Sequence, residues 1–200
     1  MVEAFDMNYS WKLFKLMRSI AKGENKVPAL WEYFAFNDSV YADYTFRMNF
    51  TSNHDENSWN GTTEELFGAV AETFAVLTYT IPGMPLIYSG QEAGNTKRLR
   101  FFEKDTIDWT NLPYADFYKT LNNLKTSNKA LWNGTAGGSM IEITKGQNPN
   151  VFAFSREKER DKVLVILNLS AEPQSFTIDR DIFAGTYSDI FTGEEVVVSN

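Results

Sequence analysis

Cysteine is absent from the sequence and histidine occurs once, at His54. The first absence excludes disulfides, cysteine nucleophiles and thiolate metal sites, without fixing a compartment. The second leaves too few imidazoles to build a zinc site. Positive charge is also scarce: 19 Lys and Arg stand against 26 Asp and Glu, for a formal charge of −7. That balance argues against a nucleic-acid backbone or an anionic membrane surface as partner. It suits a neutral or cationic ligand. Long apolar runs are missing too. The most apolar stretch, Phe74 to Tyr88, is broken by Pro82, Gly83 and Pro85 and does not read as a membrane span. Nothing after Met1 reads as a signal peptide, and no internal repeat or low-complexity segment is visible.

What the chain does hold is apolar and aromatic: 43% hydrophobic residues, with sixteen Phe, nine Tyr and five Trp. Two hundred residues of this composition can bury a real core as one domain or two small ones. Most of the rings belong in that core, and the remainder would suit stacking on the C–H faces of sugar rings.

The hydrophobic period changes once along the chain. Val2 to Met7 reads as a short strand. Ser10 then caps a helix with Leu13, Leu16, Met17 and Ile20 at helical spacing, ending at Gly23. A second helix opens near Pro28, and Tyr44 to Ser52 reads as a strand. Thr62 and Glu65 have capping-box spacing at the head of one long helix through Leu66, Val70, Phe74, Leu77 and Ile81. Pro85 to Ser89 fits a buried parallel strand. A polar loop runs from Gly90 to Asn111, and Pro113 opens another helix. Beyond the Gly-rich segment Gly134 to Gly138 the helical period vanishes. Met140–Thr144, Val151–Arg156, Val163–Leu169, Phe176–Ile178, Gly185–Phe191 and Glu195–Ser199 read as short strands. The expected fold class is α/β followed by all-β, with units 1–134 and 138–200.

The stretch FTSNHDENSW, Phe50 to Trp59, sets the single histidine between an amide and a carboxylate where a strand gives way to a loop. In alternating strand–helix proteins that edge is where ligands bind. A local reading is also open: Asn53 and Asp55 could hydrogen-bond nearby backbone while His54 packs.

These residues, with two flanking motifs, resemble the α-amylase family of glycoside hydrolases. Phe50, Asn53, His54 and Asp55 match the family's Phe-x-x-Asn-His-Asp pattern at the end of the seventh barrel strand. AFDMNYSW (4–11) resembles the sixth strand, and PGMPLIYSGQEAG (82–94) with RLRFFEKDTIDW (98–109) the eighth strand and its loop. The resemblance covers essentially the whole chain. It implies the last three units of a (β/α)8 TIM barrel, followed by a small antiparallel β-sandwich domain. It also implies a C-terminal part of a longer retaining enzyme for α-glucans such as starch, glycogen or maltooligosaccharides. Three barrel units leave open edges, to be met by the N-terminal half of the barrel or by self-association.

Retaining glycosidases use a nucleophile and a general acid/base about 5–5.5 Å apart. The resemblance implies a third carboxylate at Asp55, which binds the reacting sugar and stabilises the transition state, with His54 donating to the same sugar. No segment matches the nucleophile motif, so the chain alone is expected to be inactive. Glu3 is a poor stand-in for the missing acid. Asn53, Asn57, Trp59, Gln91 and Glu92, with Tyr88, are candidate substrate contacts; for Trp59 packing against the following helix is an open alternative, and for Glu92 ordering of its loop. Asp6 and Asn8 read as structural, and Lys97, Arg98 and Arg100 as a solvated basic face. No metal or other cofactor is expected from this chain, although calcium is common in the family. A transglycosylase or isomerase of the same family, or a non-catalytic carbohydrate-binding relative, shares the same motifs. A secreted, periplasmic or cell-surface location follows only from the family's polymeric substrates.

Overall fold

The structure is a computed structural model and describes residues 5–144, 147–178 and 181–199. Glu3 and the start of the expected first strand lie outside the described residues. Strand β1 is Met7–Tyr9, ending two residues beyond the expected Val2 to Met7, because pairing with its neighbour decides its span. It is followed by helices α1 (Trp11–Ala21) and α2 (Pro28–Val40), then β2 (Phe46–Phe50). A π-helical turn spans Glu56–Asn60. Helices α3 (Thr63–Phe67) and α4 (Ala71–Thr80), strand β3 (Met84–Leu86) and helix α5 (Ala115–Ser127) complete this half. Strands β1, β2 and β3 form a parallel sheet in that order, so their C-terminal ends lie on one side.

Polar side chains fix the register of this sheet. Ser10 stands at the head of α1, yet its hydroxyl makes no capping bond. It donates instead to Asn49 Oδ1 at 2.7 Å, and Asn49 Nδ2 donates to the Pro82 carbonyl at 3.1 Å. One buried amide of β2 thus joins the residue after β1 to the segment that leads into β3. Gly83 (φ +123°) lets β3 come this close, since a Cβ there would lie 2.5 Å from the Arg47 carbonyl oxygen.

The long helix expected through Thr62 to Ile81 is interrupted. Gly68 adopts φ +54°, a conformation that ends α3, and a 3₁₀ turn leads into α4. The predicted capping box is present: Glu65 N–H donates to Thr62 Oγ1 at 3.3 Å and Thr62 N–H to Glu65 Oε2 at 2.7 Å. With only five residues, α3 depends on that cap. Thr62→Ala is expected to lower unfolding stability by about 1 kcal/mol, read from urea midpoints. An unchanged midpoint would remove the cap from the account.

Past Gly138 come β4 (Met140–Glu142), β5 (Val151–Lys158) and β6 (Asp161–Asn168) in an antiparallel sheet. β7 (Gly185–Ser188) and β8 (Glu195–Val198) form a two-stranded one. The apolar run Phe176 to Ile178 is not a strand; Phe176 and Ile178 pack instead on the cluster of Ile143, Val151, Ala153 and Phe183.

One apolar core runs through both halves. It joins Leu13, Phe14 and Met17 of α1, Leu30 and Phe34 of α2 and Leu77 of α4 to Phe152 and Phe154 of β5 and Val165 and Leu167 of β6. Trp31 and Phe152 sit 4.6 Å apart between ring centroids, and Phe34 stacks on Phe152 at 6.0 Å. No helix among the described residues is long and apolar enough to cross a membrane.

Candidate active site

The site begins where β2 ends. Asn53 is buried and turns the chain: its Oδ1 accepts the Glu56 N–H at 2.9 Å, and its carbonyl accepts the Asn57 N–H at 2.9 Å. This is the local hydrogen bonding that sequence alone allowed, and it leaves His54 and Asp55 free to project. Their side chains retain 60% and 44% of full exposure, and His54 Nε2 lies 3.5 Å from Asp55 Oδ1. The Asn53 Nδ2 is buried without a hydrogen-bond partner among the described residues.

Two residues that sequence reading passed over hold this turn in place. Glu56 is buried, accepts from Arg18 of α1 at 3.3 Å and accepts from Asn60 Nδ2 at 3.0 Å. Phe101, from the loop after β3, stacks on the His54 ring at 5.9 Å between centroids. Trp59 is exposed and leans on Phe101 at 5.3 Å and on Phe102 at 6.1 Å. The result is an aromatic ledge beside His54 and Asp55, with Phe102 85% exposed.

The remaining predicted contacts act on that long loop. Asn57 is buried; its Oδ1 accepts the Leu99 N–H at 2.8 Å and its Nδ2 donates to the Lys97 carbonyl at 3.3 Å. Gln91 accepts the Tyr88 N–H at 2.8 Å and donates to Thr51 Oγ1 at 2.9 Å, tying the loop to the end of β2. Glu92 accepts the Tyr114 N–H through its carbonyl, while its Oε2 is buried with no hydrogen-bond partner among the described residues. The basic residues are engaged in ion pairs. Lys97 pairs with Asp105, Arg98 with Glu65 and Arg100 with Glu103. The Arg98 fork meets both Glu65 oxygens at 2.9 Å and, with the Thr62 N–H, holds that carboxyl down at about 2. Asn8 accepts from Arg47, in keeping with a structural place for it.

The arrangement can present one carboxylate and one imidazole to a ligand lying on an aromatic face. No cluster of three or more His, Asp or Glu suited to a metal is found among the described residues.

Comparison with known proteins bears on the chain as a whole. Residues 141–200 match the family model described as Maltogenic Amylase, C-terminal domain. Alpha-amylase 2 of Dictyoglomus thermophilum is 24% identical over 208 aligned residues, covering 96% of this chain and 34% of that protein. Alpha-amylase MalA of Haloarcula japonica is 25% identical, covering 95% of this chain and 28% of that protein. The chain therefore spans about a third of the length of these relatives. Among solved structures, the maltogenic α-amylase AmyB of Thermotoga neapolitana gives a TM-score of 0.80 at 20% identity, over 98% of this chain and 46% of that one. An α-amylase from Lactobacillus plantarum gives 0.78 at 19% identity, over 100% of this chain and 45% of that one. At such identities the structural likeness speaks for the fold. Taken with the family-model match and the FTSNHDENSW pattern, it makes this chain similar, from end to end, to the C-terminal region of an α-amylase family glycoside hydrolase.

Proposed function

We propose that the chain is the C-terminal portion of an α-amylase-type retaining glycoside hydrolase acting on α-glucans. In this reading β1 to β3 with their helices are the last three units of a (β/α)8 barrel, within residues 1–134, and residues 138–200 are its β-sandwich domain. Asp55 stabilises the transition state, and His54 donates to the same sugar. The observation that carries it is the placement of His54 and Asp55, accessible and adjacent, beyond the C-terminal end of a parallel strand. Asn53 fixes the turn, Asn57 and Gln91 hold the loop, and Trp59 with Phe101 offers a stacking face for a pyranose. The nucleophile and the general acid/base come from outside these 200 residues.

The division of labour has a direct test. The purified 200-residue chain should release no reducing sugar from soluble starch above a buffer blank, while a longer polypeptide that includes it hydrolyses starch. Without nucleophile and acid, most of the barrier lowering typical of enzymes, about 8–23 kcal/mol, is lost. Robust hydrolysis by the short chain would refute this assignment of roles.

A further inference from the structure

A cavity of about 450 Å³ opens between the α3–α4 junction, the loop after β3 and the start of α5. Neither His54 nor Asp55 lines it. Its volume falls in the range of small-molecule sites, roughly 300–1,000 Å³. The chemistry of its walls is specific. Tyr88 and Tyr114 supply aromatic rings and Glu64 and Glu72 supply carboxylates, while the amides of Gln91 and Asn95 are engaged with Tyr88, Thr51 and Lys97 and shape the wall. No Lys or Arg is among its lining residues, so an anionic or phosphorylated ligand would meet only like charge. Ser52 borders it with a hydroxyl that is buried and has no hydrogen-bond partner among the described residues.

From this lining we infer a second binding site, for a neutral saccharide of roughly one or two rings. Sugars offer the two things these walls complement. Their hydroxyls donate to carboxylates and can pair with the unpartnered Ser52 hydroxyl, and their C–H faces lie on aromatic rings. The inference rests on the cavity alone and does not depend on the role proposed for Asp55.

Maltose is the probe, titrated to ~50 mM into the nitrogen-15-labelled 200-residue chain while amide resonances are followed. The amides of Ala69, Gly90, Gln91 and Gly94 should shift together, with half-saturation on the order of 1–10 mM. Ala69 sits on the exposed rim, and Ala69→Trp should block the cavity and abolish those shifts with the rest of the spectrum unchanged. Tyr114→Ala, which removes one aromatic face, should weaken them at least threefold. Asp55→Asn should leave them intact. The site is overturned by an absence of shifts around the cavity or by shifts that persist in both cavity variants. Shifts confined to His54, Asp55 and Phe101 would also overturn it while leaving the reading of Asp55 standing.

Discussion

Replacing Arg156 with methionine is expected to lower the unfolding free energy by about 3–5 kcal/mol. Arg156 is 1% exposed, and all three of its nitrogens donate to backbone carbonyls. Nε reaches Gly138 at 2.8 Å, Nη1 reaches Thr80 at 2.9 Å and Nη2 reaches Trp132 at 3.1 Å. Thr80 is the last residue of α4, where free carbonyls and the helix dipole welcome a cation. Burial draws the guanidinium down to about 10, so it stays charged at neutral pH. Methionine fills a similar volume but strands three carbonyls, each costing about 1–3 kcal/mol when buried and unpaired. A partial offset comes from Lys125. Burial first, and the Arg156 charge second, push its amine down to about 7, and the substitution removes the second cause. A loss of ~3 kcal/mol corresponds to a melting point lower by roughly 6–12 °C for a domain of this size. A drop under ~2 °C in thermal circular dichroism would show that Arg156 is dispensable.

On the role proposed for Asp55, Asp55→Asn should abolish catalysis without touching the fold. Among the described residues the side chain is within ion-pair distance of the His54 imidazole alone and is 44% exposed, so thermal stability should stay within about 0.5 kcal/mol of the parent. Asparagine keeps the shape but loses the charge, and one of its two heteroatoms becomes a donor. A sugar hydroxyl that donates to the carboxylate, more strongly as positive charge grows at the anomeric carbon, then meets a weaker acceptor. In the longer polypeptide proposed to hydrolyse starch, kcat should fall by at least ~10³, or about 4 kcal/mol, with a smaller change in KM. A variant within tenfold of the parent kcat would take Asp55 out of the catalytic set.

Local signals in the sequence were readable wherever the chain answers to its immediate neighbours. The periodic spacing of Leu13, Met17 and Ile20 lies on α1, Pro28 stands at the first position of α2, and the Thr62–Glu65 pair caps α3. Gly68 was hidden inside an unbroken helical period, because its positive φ leaves no trace in hydrophobic spacing. Phe176 to Ile178 has strand-like residues yet pairs with no strand among the described residues. At the candidate site the position of Asn53, His54 and Asp55 after β2 was legible. The contribution of Phe101 was not, since it lies 47 residues beyond His54 and meets it only through tertiary folding. Nor was the support from Arg18 to Glu56, across 38 residues. Asn57, expected at the ligand, spends both ends of its amide on the loop backbone.

The aromatic contact between α2 and β5 limits how such chains can be recombined. Trp31 and Phe34 present their rings to Phe152, so the helical half and the antiparallel half were shaped against each other. Grafting the last 60 residues of a relative onto this scaffold would set foreign side chains against Trp31. Chimaeras that carry the matching α2 along with the transplanted sheet have the better prospect of folding.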